Sequence, residues 1–241
     1  MGKTLITQKR GKGSSTYTAP SFNYVARVTH RKYDEREKTS VTYGRVLDIV
    51  HCSGHSTPLI KVRFENGEDI YLFAPEKIRV GDVLASGLQA PIERGNTLPL
   101  KNIPEGTEIF NLEIMPGDGG KLIRTSGCFA KIVGRIGDQI RVVLPSKKQK
   151  LFNAECRATI GIPAGGGRKE KPFLKAGTRM FAMRARNKLY PQTSGVAMNA
   201  VSHPFGSGRG RHIGKSKVPP RGASPGRNVG LIKARRTGRR R

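Results

Sequence analysis

The sequence predicts a mostly β protein: two small barrels in tandem, basic extensions at both ends, and a short helix after the second barrel. Three observations lead there. Apolar and polar residues alternate with a period of two through much of residues 41–160, interrupted by Gly, Asn, Asp and Pro. All 17 acidic residues lie between Asp34 and Glu170. The ends hold the charge, with seven Lys and Arg in residues 1–33, eighteen in 171–241 and no acid in either. A nearly neutral centre with a net +28 over the whole chain is a folded body with two polycationic arms. Such arms neutralise phosphates and release counterions, so they select a nucleic acid. A membrane surface is the weaker partner, because the Gly and Pro of the C-terminal arm forbid a basic amphipathic helix.

Residues 1–33 form the first arm. Lys3, Lys9, Arg10, Lys12, Arg27, Arg31 and Lys32 are interleaved with Tyr17, Phe22, Tyr24 and Tyr33. Cations with aromatics suit phosphate contact and base stacking. The same rings also suit docking of the arm on its own domain.

Residues 34–90 read as an OB-like barrel. Val41–Val50 is a long strand and 59–64 alternates cleanly. Asn66-Gly67 supplies a hairpin turn, because Gly and Asn accept positive φ. Residues 69–74 return, and 80–84 make a short strand flanked by turns. Residues 91–165 read as a second, SH3-like barrel. A run punctuated by Pro and Gly leads into strands at 108–113, 121–124, 129–133, 139–144, 150–153 and 157–160. Each half is near the lower size limit for a core of its own, so the two are expected to pack together.

Residues 166–241 form the second extension. Leu174, Met180, Phe181 and Met183 accompany Lys175, Arg179, Arg184, Arg186 and Lys188, and a helix from about Leu174 to Asn187 would carry a basic face and an apolar face. Arg168 precedes it in a Gly-rich break. Gly195–Arg241 then holds twelve Lys and Arg, nine Gly, four Pro and no acid. Such a segment cannot order itself by burial and is built to be ordered by a polyanion. Arginine forks match phosphate oxygens and stack on bases. Scattered apolar residues, among them Val196, Met198, Phe205, Ile213 and Leu231, separate it from a merely flexible basic tail.

Other chemistry is weighed and set aside. No apolar run reaches membrane-spanning length, and the first residues lack a secretory h-region. Ile6 stands where a myristoylation signal needs Ser or Thr. Cys52, Cys128 and Cys156 are far apart and odd in number, which fits a reducing compartment. His51, Cys52 and His55 are potential metal ligands but lack a second cluster, and no metal or cofactor is expected. Residues 209–216 approach a phosphate-binding loop, yet Arg209 stands where its first Gly belongs. His203 has no carboxylate near it to make a catalytic base, and no acid follows Glu170. It reads as a neutral hydrogen-bonding or stacking group, and no catalytic residue is assigned.

Gly195-Val196-Ala197-Met198-Asn199-Ala200-Val201-Ser202-His203-Pro204-Phe205-Gly206-Ser207-Gly208 resembles the glycine-rich signature of the universal large-subunit ribosomal protein L-two family. Residues 95–104 and 155–161 resemble two internal blocks of that family, in the same order and spacing. Phe205, where bacterial members carry a second His, and the ending from Gly230 to Arg239 are similar to archaeal or eukaryotic members. Ala200 and Ser202 depart from the Pro and acidic residue frequent there. The resemblance implies an OB barrel followed by an SH3-like barrel, in a cytoplasmic large ribosomal subunit. It implies binding of large-subunit rRNA near the peptidyl transferase region, contacts with other ribosomal proteins and the small subunit, and a part in tRNA placement. His203 matches a family histidine linked to peptide-bond formation.

The rRNA contacts expected from charge and resemblance together begin with Lys3, Lys9, Arg10 and Lys12 in the first arm. They continue through Arg168, Arg179, Arg184, Arg186 and Lys188, then Met198, Asn199 and His203 in the glycine-rich stretch. Arg209, Arg211, His212, Lys215, Lys217, Arg221, Arg227, Lys233, Arg235 and Arg236 complete the set. A free-standing nucleic-acid chaperone would share the charge but has no need of two barrels. An RNA-modifying hydrolase would need an acid–base pair that the sequence does not offer.

Overall fold

Val41–Val50 makes the longest strand, β1, because β-branched residues recur along it and Thr42, Gly44 and Val46 turn to the core. It pairs antiparallel with β2 (Leu59–Phe64), and β2 pairs with β3 (Asp69–Phe73). The hairpin between β2 and β3 turns at Asn66-Gly67 as expected, with Gly67 at φ 82°. The other side of β1 holds β4 (Val83–Gly87). The structure is a computed structural model that describes residues 2–13, 15–168, 170–214 and 216–237.

The sheet does not stop at residue 90. β4 meets β5 (Thr97–Pro99) in parallel at Ser86 and Thr97. β5 and β6 (Glu108–Phe110) flank β10 (Arg157–Ile160), which returns from far along the chain. β7 (Ala130–Ile136), β8 (Gln139–Val143) and β9 (Gln149–Asn153) complete the order β3-β2-β1-β4-β5-β10-β6-β7-β8-β9. The fold is thus mostly β with few short helices. Residues 121–124, expected as a strand, make only the bridge Leu112–Leu122, because Gly119, Gly120 and Ile123 all take positive φ.

Three apolar clusters fill this unit, which spans Ser21–Pro172. One holds Val46, Ile60, Val62, Phe64 and Leu84 of the first strands. A second holds Leu98, Leu100, Ile109, Ile132, Val142 and Phe152 of the later ones. The third joins Phe73 to Phe110 under Val28 and Cys52. Residues 21–33 therefore belong to the β unit. Val28, His30 and Arg31 are 1%, 4% and 2% exposed, so the expected arm is anchored in the core there, while Phe22, Arg27 and Lys32 stay exposed.

Charges are buried here as a network of ion pairs and hydrogen bonds. Arg157, 1% exposed, donates to Glu113 at 2.8 and 3.2 Å, to Glu37 at 3.2 Å and to the carbonyl of Arg31 at 2.8 Å. Glu113 also accepts backbone N–H groups from Gly117, Gly119 and Arg157. Burial would raise its carboxyl, but the Arg157 fork and charge outweigh that and hold it below the ordinary value. Glu37 accepts from Ser86 and pairs with Arg31 at 3.3 Å, from a short helix, α2 (Glu35–Thr39), that Asp34 caps. His30 donates from Nε2 to the carbonyl of Asn111 at 2.6 Å, and burial together with Arg157 lowers it to about 4.

Candidate nucleic-acid interface

The second unit joins the two ends of the chain: Met1–Pro20 with Phe173–Arg241. It contains no acid. Its first helix, α1 (Ile6–Gly11), carries Lys9 and Arg10, and buried Leu5 precedes it. Leu5 N–H donates to the carbonyl of Arg235 at 3.1 Å, and Thr4 bridges Arg236. Thr237 N–H donates to the carbonyl of Lys3 at 2.9 Å. The Thr237 hydroxyl accepts from Lys3 N–H at 2.8 Å and donates to the carbonyl of Val201 at 2.6 Å. The two basic ends, read as separate arms, are clasped to each other. Thr237, 2% exposed, is the residue that sequence reasoning missed, since its partners lie 234 and 36 positions away.

The helix expected at 174–187 is α3 (Ala176–Arg184), which has no buried residue. Phe181 is 63% exposed, while Ala182 and Met183 are half-buried, so the apolar residues of this helix are only partly covered. Asn187, at φ 49°, turns the chain, and its amide donates to the carbonyls of Ser15 and Thr18. This bond again ties the C-terminal segment to the first arm.

The glycine-rich stretch is ordered by its own hydrogen bonds. Ser207 N–H closes on the carbonyl of Met198 at 3.2 Å, and Asn199 accepts from Ser202 and His203. A side chain at Gly206 would sit 2.2 Å from the carbonyl oxygen of Asn199, and one at Gly195 would sit 2.4 Å from the His203 ring. Glycine is needed at both for this close approach. Phe205 N–H donates to Nδ1 of His203 at 3.1 Å, and the two rings lie 4.9 Å apart. A backbone N–H only donates, so Nδ1 is the acceptor and the neutral ring carries its proton on Nε2. No group of the described residues bonds Nε2.

Every described Lys and Arg of this unit is exposed, and none forms an ion pair with a described residue. Lys3, Lys9, Arg10 and Lys12 present from the first arm; Arg179, Arg184, Arg186 and Lys188 from α3 and its exit; Arg209, Arg211, His212 and Arg221 from the tail loops. A groove of 510 Å³ between 216–220 and the last helix, α4 (Gly230–Lys233), gathers Arg227, Lys233, Arg235 and Arg236. Lys217 is exposed beside it, and Asn199 is exposed while Met198 and His203 are half-buried. Arg168 is exposed but belongs to the β unit, and Lys215 lies outside the described residues. Arg10 and Arg179 lie over the rings of Tyr17 and Tyr190 at 5.8 and 5.4 Å, which orients their guanidinium planes.

The His51, Cys52 and His55 group is not gathered into a ligand set. His55 Nδ1 lies 3.1 Å from Cys52 Sγ, but its ring packs against Phe73 and Tyr24, while His51 is exposed. Among the described residues no three His, Cys, Asp or Glu are placed to hold a metal ion, and no helix is long and apolar enough to cross a membrane.

Residues 93–222 match the family model described as Ribosomal Proteins L2, C-terminal domain. The chain is 51% identical over 239 residues to large ribosomal subunit protein uL2 of Methanocaldococcus jannaschii, covering 99% of each. It is 50% identical over 240 residues to uL2 of Methanococcus vannielii, covering both fully. Against uL2 of Methanopyrus kandleri it is 48% identical over 239 residues, 99% of this chain and 98% of the other.

Proposed function

The chain belongs to the uL2 family of large ribosomal subunit proteins, and from that premise we propose that residues 2–20 and 173–237 form its main rRNA-binding surface. As a family member it is a structural constituent of the large subunit, within the cytoplasmic ribosome. The observation that carries the proposal is the acid-free unit in which every described cation is exposed. Nothing within that unit neutralises those charges, so an external polyanion does. The residues that make the contact are those assigned above from sequence, from Lys3 to Arg236, and the glycine-rich loop around His203 reaches toward the peptidyl transferase region. The other partners are neighbouring ribosomal proteins and, across the subunit interface, the small subunit. Through these contacts the protein supports subunit association and tRNA placement, and it acts as a scaffold rather than as an enzyme.

We propose further that residues 34–90 and 91–165 are an OB-like and an SH3-like barrel. The apolar clusters centred on the early and on the late strands support that division, and the cluster that joins Phe73 to Phe110 packs the two halves together.

The test is a salt titration of rRNA binding. Removing residues 195–241 should flatten log affinity against log salt, by roughly 0.7–0.9 for each phosphate that the shortened chain no longer neutralises. A slope identical to that of the full chain would overturn the assignment.

A further inference from the structure

We propose that the clasped ends enclose a receptor for one RNA base turned out of its stack. This rests on the reading that the unit faces rRNA. A cavity of 210 Å³ opens between the first arm and the glycine-rich loop. A cavity of roughly 150 Å³ in another protein admits benzene, so this one holds a single heterocycle with its exocyclic groups.

The lining has the mixed chemistry that a base requires. Leu5, Met198 and Leu231 supply apolar surface for ring faces. The hydroxyl-bearing Thr7 and Thr193 also line it, and so do Arg10 and His203. A phosphate alone would waste the apolar walls, and an aliphatic side chain would leave the polar groups unpaired. A base satisfies both, through its faces and its hydrogen-bonding edges.

His203 gives the cavity a direction. Its Nδ1 accepts from Phe205 N–H at 3.1 Å, which leaves Nε2–H as the free donor of a neutral ring. The ring lies against the backbone of Gly195, where a side chain would come within 2.4 Å of it. An oriented N–H donor selects an acceptor edge, such as a ring nitrogen or carbonyl oxygen of the base, over an amino group. Arg10 lines the same cavity and is otherwise exposed, so it supplies charge for the flanking phosphate. No acid exists in the unit to repel either.

The experiment uses large-subunit particles carrying the full chain. Dimethyl sulfate, kethoxal and a carbodiimide read the rRNA bases, and hydroxyl radicals read the backbone. Thr193→Phe fills the cavity from an exposed loop position; Leu231→Trp fills it from the other side should the first variant fail to assemble. The expected result is one base, protected in wild type, whose reactivity rises about tenfold in the filled variants, a factor that corresponds to roughly 1.4 kcal/mol of weakened base binding. The backbone footprint stays. Unchanged base reactivities beneath an intact backbone footprint would overturn the receptor and leave the rRNA surface standing. Absence of any backbone footprint from this unit in wild type would overturn both.

Discussion

Replacing His203 by Gln separates two roles for this residue, and its hydrogen bonding favours the structural one. A general base needs a free lone pair, a proton affinity matched to the working pH, and a group that orients it. The one lone pair of the neutral ring is engaged by Phe205 N–H at 3.1 Å. No carboxylate exists in this unit to take the orienting role. His203→Gln keeps a side-chain donor but removes the ring and its Nδ1 acceptor. One hydrogen bond of that kind is worth about 0.5–1.5 kcal/mol, so the ordered loop falls at most about tenfold in relative population. We therefore expect assembly or subunit joining to weaken several-fold, while peptide transfer in particles that do assemble changes by less than about tenfold. Fully assembled mutant ribosomes, purified and assayed in a single turnover with a fast acceptor, measure this. A drop of several hundred-fold at normal protein occupancy exceeds the roughly 10²-fold lower end for losing a general base and would refute the reasoning.

Three further outcomes follow from the β unit. Arg157→Met strands Glu113 and Glu37 in the core and should cost about 3–5 kcal/mol in urea unfolding of the free chain; adding Glu113→Gln should restore part of it, and a single-variant loss below about 1 kcal/mol would show that the network does little for the fold. His30 titrates at 6.5 when unfolded and at about 4 when folded, so the unfolded chain binds more protons between those values. Stability should fall as pH drops from 6.5 to about 4, by up to about 3 kcal/mol, and His30→Gln should flatten that slope; identical pH profiles would count against it. Cys156 is held neutral by burial and by Glu113, its thiol pushed up to about 11, and Cys52 is buried, while Cys128 is half-buried. Iodoacetamide should reach Cys128 first in the native chain and all three in urea; labelling of Cys156 at the rate of Cys128 would contradict this burial.

What the sequence made legible is what is local. Period-two alternation marks the strands, and Asn66-Gly67 marks the hairpin, because both depend on neighbouring residues. The exposed cations were also legible, since an acid-free segment has nowhere to bury them. Pairings set by distant residues were not. Nothing near Thr97 announces that it will lie parallel to Ser86, or that β10 will enter between β5 and β6. Arg31 looks like any other cation of the first arm. It is core because Asp34 and Glu37 meet it within hydrogen-bond reach and Arg157 binds its carbonyl from 126 positions away. The clasp at Thr237 escaped for the same reason. A Thr among arginines has no local signal, and only the meeting of the two termini gives it partners.

The segregation of charge along the chain explains how the two units differ. The acids sit where the sheet is, and the structure uses them there: Glu37 and Glu113 inside, Asp69 with Arg63 and Lys61, Glu155 with Lys101 on the surface. None is left in sequence for the ends. The terminal unit must then hold its own cations together against their mutual repulsion. It does so with a few bonds, chiefly those of Thr237, Leu5 and Asn187. Each backbone or hydroxyl bond of this kind is worth about 1 kcal/mol, a small margin against that self-repulsion. Phosphates that bind the folded unit remove the repulsion and add a stabilisation that grows with their concentration over the dissociation constant. On the proposed rRNA surface the order of the ends would thereby be coupled to occupancy by RNA, whereas the β unit, which holds all 17 acids and pairs Glu37, Asp69, Glu113 and Glu155 with its own cations, would depend on it less.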